Sequence, residues 1–278
     1  MWPKFCDATD DCVSCITSGR GPIGHALLHL SFFYCGALGY AVARRRFDLK
    51  LRHFRSVFDV AHHVPNIITC LPMGLHTLRS FLTLATLDDD RTALFGPIMD
   101  PIVVEAGVWF FTFLCVDTVL MVVHRFVTRE ILLHHAIFGA VCYSLLTTSS
   151  TPFVAAALLS QELSTPFLNV FLLLREFKGM GYVPTQAVFV LFALTFFATR
   201  LCINGYATCL FISEVLRNLS GARSAASSPF VLSSAQQIVL ALVLLGGLAL
   251  QIYWSVTIAK KIQQAIGGGA PPDRKKEA

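Results

Sequence analysis

Seven apolar runs, at residues 23–43, 60–87, 102–123, 131–149, 152–174, 184–213 and 231–259, decide the solvent this chain folds in. Each is close to the roughly 20 residues a helix needs to cross a hydrocarbon core of about 30 Å. In lipid every backbone N–H and C=O must be paired inside the protein, and continuous apolar runs of this length do that as helices. The charged fraction agrees: 14% of the 278 residues, where soluble domains carry about 25%. Mean hydropathy is +0.64. The predicted fold is therefore all-α and polytopic, with about seven transmembrane helices and no separate soluble domain. The second and sixth runs are long enough to tilt or bend. Pro65 and Pro72 in the second and Pro166 in the fifth each remove a helical hydrogen bond, which predicts kinks there. No internal repeat or heptad pattern is visible.

Residues 1–22 form a short polar head containing Asp7, Asp10 and Asp11. The head lacks a basic stretch followed by a short apolar one, so the first span is expected to act as its own membrane signal. The loop after it, Arg44 to Arg55, carries six basic residues. The next short loop holds Asp88, Asp89 and Asp90 with a single Arg91. Arg125 and Arg129, then Arg175 and Lys178, then Lys260 and Lys261 with the tail, keep basic residues on the same side. This alternation places the N-terminus in the lumen and the C-terminus in the cytosol. Arg217 and Arg223, on the lumenal side, run against it.

The chain ends Lys275-Lys276-Glu277-Ala278, and only seven lysines are present in all. Lysines third and fourth from a cytosolic end resemble the dilysine retrieval signal of endoplasmic reticulum (ER) membrane proteins, an address read by COPI-type machinery. Cys6, Cys12 and Cys15 lie in the head, where an oxidising lumen allows one disulfide with one thiol left over. The other six cysteines fall in spans and read as small buried hydrophobes. Asn218-Leu219-Ser220 is a glycosylation sequon on the lumenal side.

The polar residues inside the spans carry the functional signal, because each is costly in hydrocarbon. His134 and His135 lie about one turn into the fourth span, and Glu162 follows His135 by 27 residues in the fifth. His62 and His63 open the second span, Asp117 lies six residues before the end of the third with His124 at that end, and Asn169 lies seven residues beyond Glu162. The topology puts His, Asp, His-His and Asn in one layer near the cytosolic leaflet. Glu162 shares the face of Asn169 about 10 Å deeper, with Ser164 and Thr165 beside it. Arg200 and Asn204, with His76 and Arg79, form a second, deeper set. His25 and His29 read as interfacial residues of the first span.

Such a layer suits acid–base chemistry. A histidine takes a proton from an amine or hydroxyl near neutral pH and can carry an acyl group. Asp117 would hold its tautomer. Neighbouring histidines on a helix point about 100° apart, so one of His134 and His135 is expected at the reacting centre. Simple interhelical hydrogen bonding is the structural alternative for each of these groups. No His-x-x-x-His or Cys-x-x-Cys pair lies in this layer, so neither a metal nor a bound cofactor is expected.

Asp117, the following His134-His135 pair and the run Glu162-Leu163-Ser164-Thr165-Pro166-Phe167-Leu168-Asn169 resemble the TLC domain. The resemblance spans residues 52–262, preceded by the first helix and basic loop at 23–51 and followed by a cytosolic tail at 263–278. It is greatest to a short TLC-domain branch linked to lipid homeostasis and related to ceramide synthases. It implies catalytic roles for His134, His135, Asp117 and Glu162, and substrate contacts for His63, Ser164, Asn169 and Arg200. Ceramide synthases carry a second carboxylate in a motif of the His-Asp-x-x-Asp type. Here Glu162 is the only carboxylate of that stretch.

The resemblance implies an ER membrane protein of lipid homeostasis, in one of two forms. The first transfers an acyl group from acyl-CoA, as co-substrate, to a lipid amine or hydroxyl. The second binds lipid or cargo without catalysis. Membrane lipids are the expected partners of both, and nucleic acid of neither. A seven-span receptor is disfavoured, since Asp-Arg-Tyr and Asn-Pro-x-x-Tyr signatures are missing.

Overall fold

The computed structural model describes residues 21–48, 50–86, 95–96, 100–148, 151–221 and 232–266. Every regular element among them is helical. In chain order these are α1 (Pro22–Phe47), α2 (Val57–Ala61), α3 (His63–Ala85), α4 (Pro101–Val123), α5 (Arg129–Thr148), α6 (Pro152–Ser160), α7 (Thr165–Lys178), α8 (Val183–Phe196), α9 (Asn204–Leu219) and α10 (Ser234–Ile266). Cys6, Cys12, Cys15, the Asp88–Asp90 run, Arg223 and the Lys275-Lys276 pair lie outside the described residues.

Six stretches are long and apolar enough to cross a membrane: α1, α2–α3, α4, α6–α7, α8–α9 and α10. The seventh expected span is α5, a helix of 20 residues with Arg129 and Glu130 in its first turn and the two histidines in its second. It packs between α4 and α10 in the same bundle.

Local chemistry explains where the helices start and break. Asp100 caps α4 by accepting from Ile102 N at 2.9 Å, with Pro101 in the first turn. Ser56 caps α2 by accepting from Asp59 N at 3.1 Å. Arg44, Arg45 and Arg46 close α1, where the helix dipole favours cations. The break expected near Pro166 is a 3₁₀ turn, Gln161–Ser164, joining α6 to α7. The proline ring would collide with the carbonyl four residues back, and tightening the preceding turn relieves this. Between α8 and α9 the chain widens into a π-helical segment, Phe197–Ile203, which carries Arg200.

All nine residues of α6 are buried, which makes it the central helix. Apolar on every side, it suits only a core position. The main core gathers around it from α3, α4, α5, α9 and α10. At Gly74, α3 crosses the 3₁₀ turn so closely that a Cβ there would lie 2.7 Å from Leu163 Cα. Glu176, buried at the end of α7, accepts from the backbone N–H groups of Arg52 and, at 2.8 Å, His53. It thereby ties the basic loop to the bundle. The sequon falls in the last turn of α9, where Asn218 Nδ2 donates to Gln237 Oε1 at 3.1 Å.

Candidate functional site

Asp117 lies in the middle of the buried stripe of α4, among Phe110, Phe113, Leu114, Leu120 and Met121. These positions recur three and four apart and share one helical face. A carboxylate in such a stripe needs polar company, and it receives imidazoles from three other helices. His62, at the α2–α3 junction, donates from Nδ1 to Asp117 Oδ1 at 2.7 Å. His29 of α1 places Nε2 3.6 Å from the same oxygen. His135 of α5 places Nε2 3.8 Å from Oδ2. Asp117 itself is 1% exposed.

Hydrogen bonds set the tautomers. Asn66, one turn along α3, donates from Nδ2 to His62 Nε2 at 3.0 Å, so His62 is engaged on both sides. Thr118 gives its hydroxyl proton to Leu114 O at 2.6 Å, so at 2.7 Å it accepts from His135 Nδ1–H. His135 Nε2 is left facing the carboxylate. Asn169 of α7 donates to Thr165 O at 2.7 Å, and its Oδ1 accepts from His63 Nδ1–H. His63 Nε2 is buried with no partner. The ring stands edge-on to His62, 5.4 Å between centroids.

A second polar centre joins the 3₁₀ turn to the π segment. Arg200 donates to Ser164 Oγ at 2.8 Å, Thr165 Oγ1 at 2.9 Å and Glu162 Oε1 at 3.2 Å. Thr165 in turn donates to Glu162 Oε2 at 2.5 Å. Both Glu162 oxygens are occupied. Each irregular turn supplies what the other needs: the 3₁₀ turn presents Glu162 and Ser164, and the π segment presents Arg200.

These contacts sort the residues singled out from sequence. Asp117, His135, His63 and Asn169 share the layer, together with His62. His134 points the other way, against Phe138 at 4.4 Å and Trp254 at 5.4 Å. Glu162, Ser164 and Arg200 form their own ion-paired centre, and none of them contacts Asp117. A small, partly open pocket of about 10 Å³ lies on the His134 face of α5, lined by Ile137, Phe138, Leu158, Asn204, Leu244 and Gln251.

Three expectations change. His29 is 2% exposed and turned to Asp117, so it is not an interfacial residue. His124 stacks on Phe58 at 3.9 Å and on Phe33 at 5.5 Å, which makes it part of a ring stack outside the layer. Arg79 is exposed on the outer face of α3 between Leu75 and Leu82 and does not join Arg200. Asn66, Thr118 and Gln251 escaped the sequence reading. His29 was detectable through its four-residue spacing from Phe33, and Asn66 through its four-residue spacing from His62.

A family model for the TLC domain matches residues 101–260, more than half of the chain. The chain belongs to the TLC-domain family. No curated protein and no solved structure gives a match. The matched TLC domain contains Asp117, His134, His135, Glu162, Ser164, Asn169 and Arg200. His29, His62 and His63 come from helices before it. The layer is thus assembled from the TLC domain and from two preceding spans.

Proposed function

We propose that this protein works in lipid metabolism in the ER membrane, transferring an acyl group from acyl-CoA to a lipid amine or hydroxyl at Asp117 and His135. The observation that carries the reading is one buried carboxylate ringed by His29, His62 and His135 at 2.7–3.8 Å. A buried carboxylate–imidazole pair is a general-base arrangement. The acceptor's N–H or O–H would approach His135 Nε2, with Asp117 beside the ring. His135 takes that proton as the acceptor attacks the thioester carbonyl. The C–S bond then breaks, and CoA leaves as thiolate and collects the proton. Thr118 holds His135 in the tautomer that this requires. Basic side chains of the Arg44–Arg55 loop, anchored through Glu176, are suited to the CoA phosphates.

The N-terminus is taken as lumenal and the layer as cytosolic, where acyl-CoA is available from water. Retrieval through Lys275 and Lys276 would keep the protein in the early secretory pathway.

One observation favours a second reading, non-catalytic lipid or cargo binding that tunes membrane composition. Glu162 is 3% exposed and committed to Arg200 and Thr165, which is how a structural carboxylate is held. Lipid analysis of a knockout separates the two. Rescue with wild type should restore the altered lipid species, and His135→Ala at equal abundance should restore none if the site is catalytic. Full restoration by His135→Ala would leave the non-catalytic reading.

A further inference from the structure

α1 docks through a single stripe, His29, Phe33, Ala37 and Tyr40, spaced three and four apart. Its apolar members suffice to seat it. Phe33 stacks on Phe58 at 6.0 Å, and at Gly36 an added Cβ would lie 3.1 Å from Val64 Cγ2, so the helices nearly touch. His29 contributes differently. Both of its ring nitrogens are buried without a hydrogen-bond partner, an arrangement that costs stability unless it serves another group. The ring sits edge-on to Phe113, centroids 5.0 Å apart, which holds its direction. Nε2 is 3.6 Å from Asp117 Oδ1, just beyond hydrogen-bond reach.

The charge balance of Asp117 gives this placement meaning. A carboxylate buried to this extent stays ionised only beside a compensating positive charge. Among the described residues its ion-pair partners are all histidines: His29, His62 and His135. His62 is bonded through both nitrogens and His135 through Nδ1, so His29 is the ring whose nitrogens have no hydrogen-bond partner. His62 holds the nearer position on Oδ1, and His135 faces Oδ2. His29 approaches the same Oδ1 from α1, so three helices bring rings to the carboxylate.

We infer that His29, on a helix outside the matched TLC domain, is a positioning residue of the site: its Nε2–H faces Asp117 and, with His62, holds the carboxylate in its place beside His135. α1 is then a working part of the site as well as an anchor. The coupling of His29 to Asp117 stands on geometry alone. Its effect on turnover rests on the acyl-transfer reading.

Two measurements test it, and they fail separately. In full-length protein labelled with ¹⁵N-histidine and held in nanodiscs, the His29 resonances, assigned by their loss in His29→Gln, should carry an Nε2 proton and should move in Asp117→Asn. Resonances that ignore Asp117→Asn would overturn the inference whatever the protein's activity. In rescued knockout cells at matched abundance, His29→Leu should lower lipid conversion about tenfold, the scale of one lost contact to a charged group. His29→Gln, whose amide nitrogen stands where Nε2 was, should recover most of that loss. Equal losses in both variants would mean packing alone, and wild-type conversion in both would mean a spectator; either result overturns the inference. If His135→Ala still converts lipid, the acyl-transfer reading falls, and the resonance test still decides the role of His29.

Discussion

His62 donates from Nδ1 to Asp117 Oδ1 across 2.7 Å, joining the start of one membrane helix to the last third of the next. This bond organises the layer, since Asn66 fixes the other side of the same ring at 3.0 Å. Asp117→Ala would remove the acceptor and strand His62 and its neighbours. The expected loss is about 1–3 kcal/mol, the cost of an unmet buried donor. Asp117→Asn keeps an oxygen in place and should lose less. Thermal melting in detergent, read with steady-state abundance, checks the order wild type, then Asn, then Ala.

The Glu162–Arg200 pair makes a sharper test of structure against function. Removing Arg200 alone leaves a carboxylate buried at 3% exposure. Arg200→Leu should therefore destabilise by about 3–5 kcal/mol, as breaking one half of a buried pair does. Joining it with Glu162→Leu should recover much of the loss, because no charge is then stranded. A double variant less stable than Arg200→Leu would contradict the pairing.

Gly74 and Gly39 form a matched pair of helical glycines. A Cβ at Gly74 would press on Leu163 backbone atoms, whereas one at Gly39 meets nothing within 4 Å. Gly74→Ala must force α3 and the 3₁₀ turn apart, with an expected cost of about 1–3 kcal/mol. Gly39→Ala should be neutral or slightly stabilising, since alanine is the better helix former. Equal melting temperatures for the two variants would show that α3 and the turn are not in close contact.

Orientation and retrieval are tested in cells. Protease added to sealed microsomes should remove a C-terminal tag and spare an N-terminal one. Changing Lys275 and Lys276 to Ser should move the protein toward the Golgi or the surface. A protected C-terminal tag would reverse the side on which the layer lies.

The helices were legible from the chain because lipid leaves the backbone few choices. Apolar runs of the right length predicted every long helix, and Pro166 predicted the break that appears as the 3₁₀ turn at Gln161–Ser164. The π segment was not legible. Nothing in Phe197–Ile203 marks a widened turn, which follows from how Arg200 meets Glu162 and Ser164 on another helix.

Depth along each helix could be counted from the sequence, and counting placed Asp117, His135 and Asn169 at one level. Rotation about the helix axis and choice of neighbour could not be counted. Adjacent histidines differ by about 100°, and only packing decided that His135 meets Asp117 while His134 meets Trp254. The same holds for His62 and His63, which divide between Asp117 and Asn169. His29 shows the limit most clearly. Its own helix is largely lipid-facing, and its role comes from a carboxylate 88 positions further along the chain. Sequence by itself determined the membrane fold, the helix lengths and the polar inventory, because these follow from local hydrophobicity and backbone pairing. Tertiary structure alone decided which polar groups meet around Asp117 and which are locked in an ion pair, because those partnerships depend on helix rotation and contact across the bundle.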